Sequence, residues 1–404
     1  MSRMFQPVTI GKMEIKNRFV HSATHEAMTD SDGRITDDHI RRYKNLAKGE
    51  IGLIIPGHMY VHPFGKAHHG QIGIHSNDMI SGLKRLTETV HENGGKIAFQ
   101  LTHGGRQVPK KVIGTQPLAP SKQGRDPVTL NKPRKMDERM IEETIGAFAN
   151  AAVRAIEAGA DAVQLHAAHG YLISEFLSPF FNKRKDKWGG SNENRFRFIE
   201  EIIKRIKSNL SDDKPILVKM NAIDYTPFKG VTPDLAAVYA KWMAKLGVGA
   251  VETSCGTYYT FHSIRGDIPV AEMAAALPMW MRPLAKVKLN FQKKGTTFKD
   301  AYNLEAARTI KPQIGDTKLI LVGGLRKLFQ MEEIVENGDA DLISMSRPFI
   351  REPFLVKRFK EKKATEASCI SCNKCFAAMF NSMPVKCYER GVPGLIPLKS
   401  RGRK

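Results

Sequence analysis

Eight short apolar runs recur along the 404-residue chain, separated by stretches of helical periodicity. They fall at 19–23, 53–57, 97–101, 162–166, 216–221, 250–254, 319–323 and 342–345. Most are unbroken and rich in Ile, Val and Leu rather than alternating with polar residues, the pattern of parallel strands buried on both faces. Helical patterns such as 78–93 and 138–158 lie between them, the second stopping at Gly159 as a helix C-terminus should. Eight strand–helix units predict a (β/α)8 TIM barrel, an α/β fold whose active-site groups gather at the carboxyl ends of the strands. A doubly wound sheet is the alternative, but no strand leads into a G-x-G-x-x-G loop. A barrel of about 250 residues grown by insertions absorbs most of the length. Residues 1–362 are therefore expected to form the barrel and 363–404 a short cysteine-rich extension.

Composition narrows the partners. Lys and Arg number 63 against 41 Asp and Glu, a formal charge of +22. Such a surface attracts anions: acidic proteins, acidic lipid surfaces, phosphorylated or CoA-linked substrates. The charge is dispersed, with modest clusters at 357–363 and 399–404, and no aromatic-interleaved basic motif points to nucleic acid. No run of about 18 apolar residues indicates a membrane span and no signal peptide is apparent, so a cytoplasmic protein is expected. Four of the five cysteines crowd into 369–387. In a reducing compartment that argues for metal rather than disulfides.

The densest chemistry is at 161–198, DAVQLHAAHGYLISEFLSPFFNKRKDKWGGSNENRFRF. A strand ends in His166 and His169, with Tyr171 just beyond; a helix and a polar loop from Arg184 to Arg195 follow. Imidazoles can hydrogen-bond a substrate oxygen and a phenol can deliver a proton. Other strand ends carry suitable groups. Gly57 lets a flat ring approach closely. Gln100 offers an amide that both donates and accepts, and Lys219 is a cation inside an apolar strand, costly unless paired. Barrels commonly bind phosphate between the loops after strands seven and eight, which selects Gly324, Ser346 and Arg347. His58, His68, His69 and His75 resemble a metal cluster at first sight, but their spacing fits no ligand motif and loop polarity explains them better. Cys255 reads as a buried small residue. His103 and Arg106 suit holding a loop and contacting substrate equally well.

HAAHGY followed by RKDKWGGSNENR resembles the old yellow enzyme family of flavin oxidoreductases, with its H-x-x-H/N-G-Y and R-x-D-x-Y/W-G-G-x-x-E-N-R patterns. NRFVHSAT, QLTHGGR, LILVGGLR and MSRPF match further family segments, Ser346 replacing the usual Gly. The resemblance implies FMN as cofactor, with Ser22, Ala23 and Thr24 along one face of the flavin. Gln100 would meet its pyrimidine edge, Lys219 its N1/C2 carbonyl region, and Gly324, Ser346 and Arg347 its phosphate. Either Thr24 or His25 would tune the flavin, and His25 is also a candidate substrate contact. His166 and His169 would bind the carbonyl of an α,β-unsaturated substrate, and Tyr171 would protonate its α-carbon while hydride passes from flavin N5 to the β-carbon. The expected activity is thus an NAD(P)H-fed ene-reductase.

Cys369, Cys372, Cys375 and Cys387 form C-x2-C-x2-C-x11-C. Such spacing suits a [4Fe–4S] cluster, with structural zinc and an empty relic as the other readings. A similar run follows the barrels of 2,4-dienoyl-CoA reductase and trimethylamine dehydrogenase, which favours the cluster. Those relatives continue into FAD- and NAD-binding domains that have no counterpart in this sequence. Two alternative functions follow: an amine-type dehydrogenase passing electrons from FMN to the cluster, or an electron-transfer subunit. An acidic electron carrier or a separate flavoprotein subunit would suit the positive surface. The oligomeric state stays open, a homo-oligomer included.

Overall fold

The computed structural model describes residues 2–126, 130–257, 260–293 and 295–392. The basic cluster at 399–404 lies outside them. The eight expected strands form one closed parallel barrel: β1 (Phe19–His21), β2 (Leu53–Ile54), β3 (Lys96–Thr102), β4 (Ala162–Ala167), β5 (Ile216–Ile223), β6 (Ala250–Cys255), β7 (Lys318–Val322) and β8 (Leu342–Met345). Neighbours in sequence pair in space, and β8 closes onto β1 through Met345 opposite His21. Helices such as Ile80–Glu92, Glu138–Glu157 and Asn192–Asn209 pack outside. Each hides an apolar face against the strands, as its 3.6-residue periodicity requires. Among the described residues no helix is long and apolar enough to cross a membrane.

The barrel interior changes character along its axis. Toward the amino ends, every strand contributes one apolar residue to a single cluster: Val20, Leu53, Ala98, Ala162, Leu217, Ala250, Ile320 and Leu342. A hairpin of Val8–Ile10 and Met13–Ile15 closes that end, adding Val8, Ile10, Met13 and Ile15. Two residues further on, the side-chain period of a strand returns to the interior, and there the residues are Ser22, Ile55, Gln100, Gln164, Lys219, Glu252, Val322 and Ser344. The polar members hydrogen-bond to one another. The dry end supplies packing, and the polar layer supports what lies over it.

The chain after the barrel folds back over its carboxyl face. Ala367 N–H donates to Arg326 O at 2.9 Å, Asp267 N–H to Ser371 O at 3.0 Å, and Val385 N–H to Glu26 O at 2.7 Å. Asn373, buried with φ +56°, donates to Ile264 O and Asp267 O at 2.7 and 2.8 Å. The helix Lys374–Phe380 then packs on Val270–Ala275, sharing a small core of Ile268, Met273, Leu289 and Ala377.

Leu342 is wholly buried in the dry layer at the closed end. Leu342→Ala is expected to cost about 2–5 kcal/mol through lost transfer energy and the cavity left behind. Urea unfolding should show a lower midpoint with an unchanged slope.

Candidate active site

At the carboxyl end of the strands a cavity of about 640 Å³ opens. His166 reaches it as the fifth residue of β4, level with Lys219 on β5. His169 and Gly170 both adopt left-handed backbone, φ +62° and +75°, which turns the chain sharply. That turn brings His166, His169 and Tyr171 to one wall: the imidazole centroids are 5.1 Å apart and Tyr171 is 4.8 Å from His166. The turn is pinned by His169 N–H donating to Asn221 Oδ1 at 3.1 Å and by Gln107 Nε2 donating to His169 O at 2.7 Å. Gly170 is required there, since a Cβ would stand 2.7 Å from Gln107 Nε2.

Protonation on this wall follows from burial. Desolvation holds His166 well below the ordinary histidine pKa, helped by His169, His58 and Lys219, and pushes His169 down to about 3. Both are neutral donors and acceptors at pH 7. Ala168 N–H donates to His166 Nδ1 at 3.4 Å, so the His166 proton sits on Nε2. His169 Nε2 pairs with Ser254 Oγ at 2.7 Å.

Beneath them the polar layer is organised by one carboxylate. Glu252 Oε1 accepts from Ser22 Oγ at 2.8 Å, Lys219 Nζ at 3.1 Å and Ser344 Oγ at 3.0 Å, and Oε2 accepts from Gln164 Nε2 at 2.9 Å. Gln164 Oε1 in turn takes Gln100 Nε2 at 2.6 Å. Lys219 therefore has its partner, as its burial demands. Ser22, Ala23, Thr24, His25, Gln100, Lys219, Ser346 and Arg347 all line the cavity with the His–Tyr wall. Thr24 Oγ1 meets Ser346 Oγ at 2.6 Å, joining the ends of β1 and β8.

Gly57 and Gly324 stand outside this lining. A Cβ on Gly57 would run into the Glu26 carboxylate, and one on Gly324 into Lys299 O, so packing against the protein itself accounts for both glycines. His103 and Arg106 also lie behind the lining. His103 Nδ1 accepts from Gly105 N–H at 3.1 Å, and Arg106 pairs with buried Asp126, so both hold the loop. The run from Arg184 to Asn194 is a brace. Arg184 grips Asp186 and donates to Pro120 O and Met136 O at 2.7 and 2.8 Å, while Trp188 Nε1 donates to Glu138 Oε2 at 2.7 Å. Cys255 is buried, its thiol pushed up to about 12 by desolvation.

Further cavity residues were hidden in the sequence. His58, His68 and His69 line the cavity, and the His68 ring lies 4.8 Å from His25. Their irregular spacing carried no motif; only the density of histidines in that loop pointed to them.

Cys369, Cys372, Cys375 and Cys387 border one small cavity with Arg347 and Arg351. Cys375, Arg347 and Ile350 border the large cavity as well. Burial raises the Cys369 thiol and pushes Cys375 up to about 12. Among the described residues no three potential ligands converge closely enough to hold a metal ion.

The sequence pattern of the NADH:flavin oxidoreductase / NADH oxidase family matches residues 3–272 and 270–366. The chain belongs to this family. It is 35% identical over 371 residues to the NADPH dehydrogenase of Bacillus subtilis (strain 168), spanning 90% of this chain and 96% of that protein. It is therefore an FMN-dependent flavin oxidoreductase of the old yellow enzyme type, acting on a small molecule with NAD(P)H. Among solved structures, a 2-naphthoyl-CoA reductase in complex with 2-naphthoyl-CoA matches with a TM-score of 0.83 and 26% identity, over 96% of this chain and 56% of that one. This chain thus spans about half of that reductase. The old yellow enzyme homologue of Zymomonas mobilis shares the fold, with a TM-score of 0.71 at 24% identity over 91% of this chain and 95% of that one.

The donor set fits the flavin: an amide in Gln100, a cation in Lys219, an arginine and hydroxyls at Arg347, Ser346 and Thr24, and a buried Thr257 hydroxyl on the cavity with no hydrogen-bond partner among the described residues. Because His166 and His169 stay neutral far below the usual histidine range, affinity for a neutral carbonyl ligand is expected to be constant between about pH 5 and pH 8. Titration by flavin absorbance across that range checks it; a step near pH 6.5, the ordinary histidine value, would contradict it.

Proposed function

We propose that the enzyme is an ene-reductase, reducing the C=C bond of an α,β-unsaturated carbonyl compound. The observation that carries this reading is the convergence of His166, His169 and the Tyr171 hydroxyl on one wall of the cavity that Gln100 and Lys219 also line. When bound, FMN supplies the hydride that reaches the substrate β-carbon. Ser22, Ala23, Thr24, Gln100 and Lys219 would hold its ring, the Lys219 charge favouring the anionic reduced form, and Ser346 and Arg347 its phosphate. His166 Nε2–H and His169 bind the carbonyl oxygen as neutral donors and draw electron density from the double bond. Tyr171 holds the proton destined for the α-carbon. His25, its ring tilted against that of His68, borders the same space and is proposed to contact substrate.

We infer further that the four cysteines of the extension hold a [4Fe–4S] cluster. Supporting this, all four border a single cavity that shares Arg347, Ile350 and Cys375 with the flavin site. The cluster would open exchange with an acidic carrier, for which a charge of +22 is suited. The same reading places the protein in the cytoplasm, where thiols remain reduced.

His166→Ala is expected to weaken binding of a phenol-type carbonyl mimic roughly ten- to a hundredfold through loss of one donor; unchanged affinity would remove His166 from the carbonyl site. Purified without oxygen, the protein should carry flavin together with about four irons per chain. Flavin without iron would remove the cluster and leave a simple NAD(P)H-fed ene-reductase.

A further inference from the structure

The loop after β2 sets two histidines against the hydroxyl assigned as proton donor. Tyr171 Oη lies 3.0 Å from His68 Nε2 and 3.4 Å from His58 Nε2. The His58 proton can be located by following the bonds inward. Gln71 is wholly buried. Its Oε1 accepts the backbone N–H of Ala67 at 2.7 Å and of His68 at 3.3 Å, which fixes the direction of the amide. Its Nε2 therefore faces His58, donating to the backbone oxygen at 3.2 Å and meeting Nδ1 at 2.7 Å. An amide nitrogen only donates. His58 Nδ1 must accept, and the single proton of the neutral ring lies on Nε2, the atom facing Tyr171.

Around His58 stand the rings of His25, His68 and His166, with centroids 5.7 to 5.8 Å away, and Tyr171 at 5.2 Å. Desolvation, reinforced by His68, His169 and the Lys219 charge, keeps His58 well below the ordinary range. Desolvation, joined by the neighbouring His69, likewise brings His68 down to about 4. Both rings are neutral at pH 7, so the direction of the His58 bond is set by Gln71 alone among these contacts.

We infer that Gln71 locks His58 as an Nε2–H donor to Tyr171 Oη, making His58 and Gln71 positioning residues for the protonation of substrate. This rests on Tyr171 being the proton donor. In that step the Tyr171 O–H bond breaks and the proton forms the new C–H bond at the α-carbon. The electron pair stays on the phenolate oxygen, and water later restores the proton. The His58 N–H stabilises the phenolate without being transferred, and so strengthens Tyr171 as an acid.

The substitution Gln71→Glu tests this. A carboxylate still caps the turn through the backbone N–H groups of Ala67 and His68, but it accepts from His58 Nδ1 and so moves the ring proton off Nε2. In the ¹⁵N-histidine NMR spectrum of the holoenzyme, wild-type His58 should show a protonated Nε2, and Gln71→Glu a protonated Nδ1. Stopped-flow reoxidation of the reduced enzyme by 2-cyclohexen-1-one should slow roughly ten- to a hundredfold in Gln71→Glu and in His58→Leu, with the alkaline limb of its pH profile moved upward. Flavin reduction by NADPH should be unchanged in Gln71→Glu, whose side chain does not line the cavity. A protonated Nδ1 in the wild type would overturn the inference. So would wild-type reoxidation with an unshifted limb in both variants while Tyr171→Phe is slow, an outcome that leaves the ene-reductase reading standing. Fast reoxidation in Tyr171→Phe, or none in the wild type, would overturn that reading and this inference together.

Discussion

Glu252 is the point on which the interior of this barrel turns. An ionised carboxylate has no proton to give, so every neighbour must present a donor to it. Ser22, Lys219, Ser344 and Gln164 do so from four different strands. A carboxylate and an ammonium taken out of water are affordable only when paired and fully bonded, and that requirement ties the strands to one geometry. Gln100 is held at one remove through Gln164, so the groups fitted to the flavin form a connected set.

The division along the barrel axis separates two demands. One layer is aliphatic and closed by the amino-terminal hairpin, where the hydrophobic effect acts without polar groups to satisfy. The next is a bonded polar network, and the cavity with its histidine wall follows. Rigid support lies directly under the groups that must be placed accurately, which is what a preorganised site needs.

Much of this was legible in the chain. All eight strands fall on the predicted apolar runs, most of them unbroken, because a parallel barrel buries both faces and leaves little alternation. His166, His169, Tyr171, Gln100 and Lys219 were legible because strand ends point their side chains into the cavity. Glu252 was not, since a single acid inside VETSC has no local pattern to mark it; its meaning depends on partners 33 to 230 residues away. His58 and His68 were missed for the same reason: loop residues have no periodicity, and only the folded loop sets them beside Tyr171. Gly57 and Gly324 were noticed for the right property, the absence of a side chain, but the close neighbour is the protein's own Glu26 or Lys299 backbone. The arginine–tryptophan run beyond the His–Tyr turn proved to be scaffolding, which a motif match cannot distinguish from chemistry.

The cysteine-bearing helix is also part of the cavity: Cys375, Phe376, Met379 and Phe380 form a stretch of its lining, and Arg347 bonds Asn373 at 2.6 Å to hold the segment down. Its two phenylalanines and methionine join Val112, Leu277 and Met281 as the apolar part of a lining that also carries imidazoles and hydroxyls. Whatever occupies the small cavity among the thiols, this segment sets the local dielectric of the large one. A barrel trimmed of its last forty or so residues would keep every strand-borne group, yet it would expose them to water, where each hydrogen bond they make is worth less.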